Sequence, residues 1–195
     1  TTGAGVGWRS RLTTVGTPAL DPENADSFEV GVKNSLFDGR LVLNLAGYYA
    51  KYYNFQANNP DIDPVTNARI TRFTNAGTVS TRGFELDLIA QPIDDLSLAG
   101  GLAYTDARVD VFNVAPGAPP TDIVPPGTPL AFAPKWKASL TADYRIRTGG
   151  FADVELGLQG SYQSSQLALF VPLQQARDAA WIKPYGLVDA TITLV

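Results

Sequence analysis

Apolar and polar residues alternate with a period of two along most of the chain. Trp136, Ala138, Leu140, Ala142, Tyr144 and Ile146 interleave with Lys135, Lys137, Ser139, Thr141, Asp143 and Arg145. Successive side chains of a β-strand point to opposite faces, so this run has one apolar face and one polar face. Val154, Leu156, Leu158 and Tyr162 alternate in the same way, as do Val188, Ala190, Ile192 and Leu194, Phe84, Leu86 and Leu88, and Phe28, Val30 and Val32. The alternation weakens over 41–56, where Tyr48, Tyr49, Tyr52 and Tyr53 put aromatics on both faces. No segment carries a 3.6-residue stripe. The pattern predicts seven strands, at 27–35, 41–56, 70–90, 97–110, 135–146, 151–163 and 185–195. Most reach the ~9–11 residues that a tilted strand needs to cross a bilayer.

The predicted connections alternate between short and long. Residues 36–40, 91–96 and 147–150 are short, the first containing Asp38-Gly39, a hairpin-turn pair. Residues 57–69, 111–134 and 164–184 are long, and 111–134 holds half of the chain's 14 prolines. A transmembrane barrel sorts its loops this way, with short turns on the periplasmic rim and long loops outside. Closure is what hydrocarbon demands, because it offers no partner to an unpaired backbone N–H or C=O. The fold class read from the pattern is therefore all-β, an antiparallel transmembrane β-barrel segment. Tyr48, Tyr49, Tyr52, Tyr53, Tyr104, Trp136, Tyr162 and Tyr185 fall near the outer strand ends and Tyr144 and Phe151 near the periplasmic ends, as two interfacial aromatic girdles require.

Composition narrows the function classes. The net charge is −4 with only 15 Lys and Arg, which argues against nucleic acid as a partner. There is no Cys and no His, so thiolate chemistry, the commonest metal ligand and the usual general base near neutral pH are all missing. No catalytic residues, metal ligands or cofactor are expected. Asp61-Ile62-Asp63 offers two carboxylates but too few further oxygens for a calcium site. The chain starts at Thr1 without an apolar leader, and it reads as mature or internal sequence, with strands missing at both ends.

Leu20-Asp21-Pro22-Glu23 followed by Phe28-Glu29-Val30-Gly31-Val32-Lys33, then Phe37-Asp38-Gly39-Arg40-Leu41 and a strand ending at Gln56, resembles a signature of TonB-dependent outer-membrane receptors. Asn75-Ala76-Gly77 with Arg82-Gly83-Phe84-Glu85-Leu86 is similar to the family's next signature. Tyr104-Thr105-Asp106-Ala107, Pro129-Leu130 with Ala133-Pro134, and Asp143-Tyr144 continue it in order. The resemblance spans about residues 20–195. It implies that residues 1–195 are part of one barrel domain of about 22 strands, seven to eight of them here. It also implies that an N-terminal plug domain and the closing C-terminal strands lie outside this chain. The implied function is energy-coupled uptake of a large scarce solute, most often a ferric siderophore, in the bacterial outer membrane. The implied partners are the chain's own plug, the TonB–ExbB–ExbD complex, outer-membrane lipid and lipopolysaccharide, and the solute. The alternatives are a passive porin and a soluble β-sandwich binding protein.

Candidate residues follow from these placements. On the extracellular segments, Asn58, Asn59, Arg69, Arg72, Arg108, Gln174 and Arg177 are the polar reach, and the Arg fork suits anionic chelates. Tyr52, Tyr53, Phe73, Phe112, Phe170 and Trp181 offer rings for stacking. The polar strand faces carry Glu29, Lys33, Glu85, Asp87, Lys137, Asp143, Arg145, Glu155 and Asp189. Of these, Glu29 and Glu85 are, by the resemblance, candidates to meet plug arginines.

Overall fold

A computed structural model describes residues 19–63, 65–114, 123–169 and 174–195. Its main body is one antiparallel sheet in sequence order: β1 (Asn24–Leu36), β2 (Leu41–Ile62), β3 (Arg69–Ile93), β4 (Leu96–Phe112), β5 (Trp136–Ile146), β6 (Val154–Gln163) and, after an insertion, β9 (Tyr185–Leu194). The insertion holds a two-stranded ribbon, β7 (Gln166–Leu167) with β8 (Trp181–Ile182), and one short helix, α1 (Gln174–Ala179). Among the described residues no second layer stacks on either face of this sheet, which is not how a β-sandwich is built. The seven strands expected from the alternation are the seven of the sheet.

The register decides which residues share a face. Phe84 stands opposite Gly47 and Tyr104, Tyr104 opposite Trp136, Leu140 opposite Gly100 and Gly160, and Leu158 opposite Ala142 and Ala190. The apolar sets of all seven strands therefore merge into one continuous face. Its side chains are open to the surroundings: Val30 is 77% exposed, Leu140 50% and Ile192 76%. The opposite face carries Glu29, Lys33, Glu85, Asp87, Lys137, Asp143, Glu155 and Asp189 and is concave, with a depression of ≈ 440 Å³ floored by Gly101, Ala103, Ser139 and Ser161.

Aromatics close the apolar band at its outer end. Phe84 and Tyr104 have ring centroids 5.9 Å apart, and Tyr104 and Trp136 4.8 Å, a row crossing three strands. Tyr49 and Tyr53 join this face. Tyr48, Tyr52 and Tyr185, expected in the girdle, point to the polar face instead, because the register pairs them with Gly83, Val79 and Gln163. Tyr48 lies across Gly83 and its hydroxyl bonds to Thr105 Oγ1 at 2.8 Å.

The turns on the other rim are tight. Phe37, Asp38 and Gly39 all have positive φ, and a two-residue turn at Asp94-Asp95 joins β3 to β4. Ion pairs link neighbouring turns: Arg40 to Asp94 at 2.9 Å, and Arg147 to Asp95 at 2.6 Å. That hydrogen bond and charge hold the Arg147 guanidinium above its ordinary pKa.

Candidate functional site

Two features rise past the aromatic row. The first is an arm. Residues 57–69, expected to form a long loop, are instead the ends of β2 and β3 around a tight turn, with Gln56 opposite Asn75 and Ile62 opposite Arg69. The turn is set by Asp63, whose Oδ1 accepts the N–H groups of Val65 (2.8 Å) and Thr66 (3.0 Å). This is an Asx turn, and the carboxylate serves the backbone. No group of three or more acidic side chains poised for a metal occurs among the described residues.

The second feature is a packed cap. Residues 127–130 continue the sheet beside β4 beyond the end of β5: Leu130 N–H donates to Ala107 C=O (3.0 Å), Val109 N–H to Thr128 C=O (2.9 Å) and Gly127 N–H to Val109 C=O (2.8 Å). Prolines 125, 126 and 129 stiffen this segment. The insertion between β6 and β9 leans on it through Phe132 N–H to Leu167 C=O (2.8 Å). Val109, Val124 and Leu167 are each only 1% exposed, a small core outside the apolar band.

The expected site residues divide between these features and do not converge on one point. Asn58, Asn59, Arg69 and Arg72 lie on the arm, Asn59 directly opposite Arg72 and Asn58 opposite Phe73. Gln174 and Trp181 lie on the cap and line a shared hollow with Pro125, Thr128 and Pro129. Phe170 falls outside the described residues. Two more of the expected residues have partners within the chain. Arg177 is buried at the floor of the same hollow and donates to Gln174 Oε1 at 2.6 Å. Arg108 is on β4, not on a loop, and pairs with Asp106, to which Arg82 also donates at 3.2 Å. That trio continues the outward face just past the aromatic row.

On the polar face, Glu29 stands opposite Tyr48 and Glu85 opposite Ala46, in neighbouring rows two strands apart. Glu85 lines the concave depression with Asp87, Lys137 and Gln163. Most side chains of this wall are small or polar, with Leu187 an exception in the depression, which suits a wet or plugged interior.

Sequence reasoning missed one cluster, at the base of the arm. Asn75 Oδ1 accepts Asp21 N–H (2.9 Å), and Asn75 Nδ2 donates to Asp21 C=O (3.0 Å) and to Asn54 C=O (2.9 Å). Gln56 Nε2 also donates to Asp21 C=O (3.0 Å), and Gln56 N–H to Glu23 Oε2 (3.0 Å). These are residues of the signatures quoted above, and their order along the chain was the only signal.

Comparison with known proteins places this architecture. A family model described as TonB dependent receptor-like, beta-barrel, matches residues 4–194. The metal-pseudopaline receptor CntO of Pseudomonas aeruginosa is 30% identical over 151 residues, covering 77% of this chain and 19% of its own length. The probable TonB-dependent siderophore receptor PiuA of Acinetobacter baumannii is 26% identical over 148 residues, covering 74% and 19%. Among solved structures, the siderophore receptor PiuA from Acinetobacter baumannii superposes with a TM-score of 0.66 at 23% identity, over 89% of this chain and 22% of that one. The ferric yersiniabactin uptake receptor FyuA from Yersinia pestis gives 0.62 at 15% identity, over 87% and 22%. The chain spans about a fifth of the length of the curated relatives it matches.

Proposed function

The chain belongs to the TonB-dependent receptor β-barrel family, and from that membership we propose that it is part of the barrel wall of an outer-membrane receptor that imports a metal–siderophore complex. The observation that carries this reading is the two-faced sheet: an exposed apolar face closed by the Phe84–Tyr104–Trp136 row, and a concave polar face behind it. Apolar atoms facing outward are stable only in lipid, and a polar concave wall is stable only against water or a polar plug.

In this reading residues 1–195 are a segment of one barrel domain in a Gram-negative outer membrane. The plug and the remaining strands come from the rest of the protein. Glu29 and Glu85 face the plug and receive its arginines. Asn58, Asn59, Arg69 and Arg72 on the arm, with Gln174 and Trp181 on the cap, meet the solute at the mouth. The names of the relatives, a metal-pseudopaline receptor and a probable siderophore receptor, support a metal chelate as the solute class. TonB with ExbB and ExbD supplies the energy, and lipid and lipopolysaccharide surround the wall.

Deleting the parent gene and measuring uptake of radiolabelled ferric and other metal siderophores tests the proposal. Uptake of at least one should vanish on deletion, return on complementation and require TonB. Uptake that continues at the same rate without TonB would make the protein a passive porin.

A further inference from the structure

We propose that Asn75 is a positioning residue that fixes the direction in which the β2–β3 arm leaves the barrel wall. Three departures from regular pairing fall at one level of the sheet. The β2–β3 register shifts between Tyr52 and Gln56, with Asn54 at φ 53°. Gly77 has φ 129°, and a Cβ there would strike the Val111 carbonyl. The β3–β4 register shifts between Thr78 and Val79. Bulges bend a strand and raise its local twist, so this level is where the arm's direction is decided. Left alone, a two-stranded ribbon on irregular pairing would pivot there.

The side-chain amide of Asn75 opposes that pivot. It offers an N–H and a C=O in the geometry of a peptide group and pairs with both the N–H and the C=O of Asp21, as a neighbouring strand would. The same Nδ2 holds the carbonyl of Asn54, the residue at the β2 bulge. Asn75 C=O in turn accepts Asn113 Nδ2 at 3.3 Å. One side chain thus spans the bulge and ties the segment before β1 to β2, while its backbone ties β3 to the end of β4. Gln56 and Glu23 complete the brace from the β2 side. The lever is long: at roughly 3.3 Å per residue the arm runs about 20 Å beyond Gln56, so a pivot of about 20° displaces its tip by about 7 Å.

The test uses the full-length receptor in detergent or nanodiscs, with spin labels on Val65→Cys at the arm's turn and Phe132→Cys on the cap. Both positions are exposed, and this chain has no cysteine of its own. Pulsed electron–electron resonance should give a narrow distance distribution in the parent protein. Asn75→Ala should broaden or shift it by at least about twofold in width. Asn75→Asp is isosteric and keeps the acceptor for Asp21 N–H but loses both donated bonds, so it should broaden the distribution as well. A distribution with the parent's mean and width in either variant would overturn the proposal, since a space-filling role would be satisfied by Asp. Should the Asn75 variants fail to assemble, Gln56→Ala gives the reading: broadening supports the brace, and an unchanged distribution overturns it. None of these outcomes depends on which solute the receptor imports.

Discussion

Gly83 sits where three strands crowd together. A Cβ there would strike the Tyr104 carbonyl and come within 2.8 Å of the Tyr48 hydroxyl, which crosses the glycine to reach Thr105. The bare backbone is what lets the ring lie flat against the wall. Gly83→Ala forces those neighbours apart at a cost of about 1–3 kcal/mol, as overpacking does elsewhere. Tyr48→Phe keeps the ring and removes one hydrogen bond, worth about 1 kcal/mol. In the full-length receptor, the temperature at which the folded band disappears from an unheated-versus-heated gel should fall in both variants, and further for Gly83→Ala. Arg147 gives a prediction of a different kind. The hydrogen bond from its guanidinium to Asp95, with the carboxylate's charge, holds its pKa above the ordinary arginine value. A raised cation contributes fully below its unfolded pKa and loses that contribution only as pH climbs through the folded value. Whatever Arg147→Gln does to the melting of the folded band should therefore be the same at pH 7 and pH 9. A difference between those two readings would show that Asp95 is not its controlling partner.

At the scale of the strand, one residue step separates lipid from lumen. Leu140 lies mid-strand on the apolar face of β5, with Gly100 and Gly160 beside it, and Ser139 lies on the concave face against Gly101 and Ser161. Leu140→Arg near the bilayer midplane should destabilise the folded receptor by about 2–4 kcal/mol, whereas Ser139→Arg should be tolerated. Equal effects of the two substitutions on thermal stability would remove the face assignment. This two-residue period is also why the sheet was legible in the sequence. In β5, β6 and β9 the difference between hydrocarbon and water is imposed on every second residue. The period fades where that difference does. In β2 both faces carry tyrosine, because Tyr48 and Tyr52 fill space over small lumen residues while Tyr49 and Tyr53 reach the interface. Beyond Gln56 the arm lies past the apolar band and its aromatic row, neither face needs to be apolar, and the strand ends read as a loop. Helix α1 has only six residues and sits in the proline-stiffened cap, too short to show a periodicity. Arg177 read as reaching outward because charge alone does not reveal that a helix turns inward. The Asn75 brace joins residues 54 apart in sequence, and nothing local to either end announces the contact.

The whole sheet poses a problem that its parts do not. Among the described residues β1 and β9 each pair on one side only, and every residue of both strands is exposed. Each therefore presents a row of unpaired N–H and C=O groups beside side chains such as Val30, Val188 and Ile192 that belong in lipid. Neither solvent suits such an edge. In hydrocarbon each unsatisfied backbone group costs several kcal/mol, and in water the apolar face drives strand-to-strand association. The edges are satisfied together only when further strands join β9 back to β1 around the concave face, the same closure that the curvature already begins. The 195 residues expressed alone and refolded into detergent micelles should accordingly yield no heat-modifiable band and should associate through their edges. The full-length receptor refolded in parallel should give that band. A monodisperse, heat-modifiable monomer from the isolated chain would mean that the sheet closes on itself. In that case the wall of a larger barrel would be the wrong description of it.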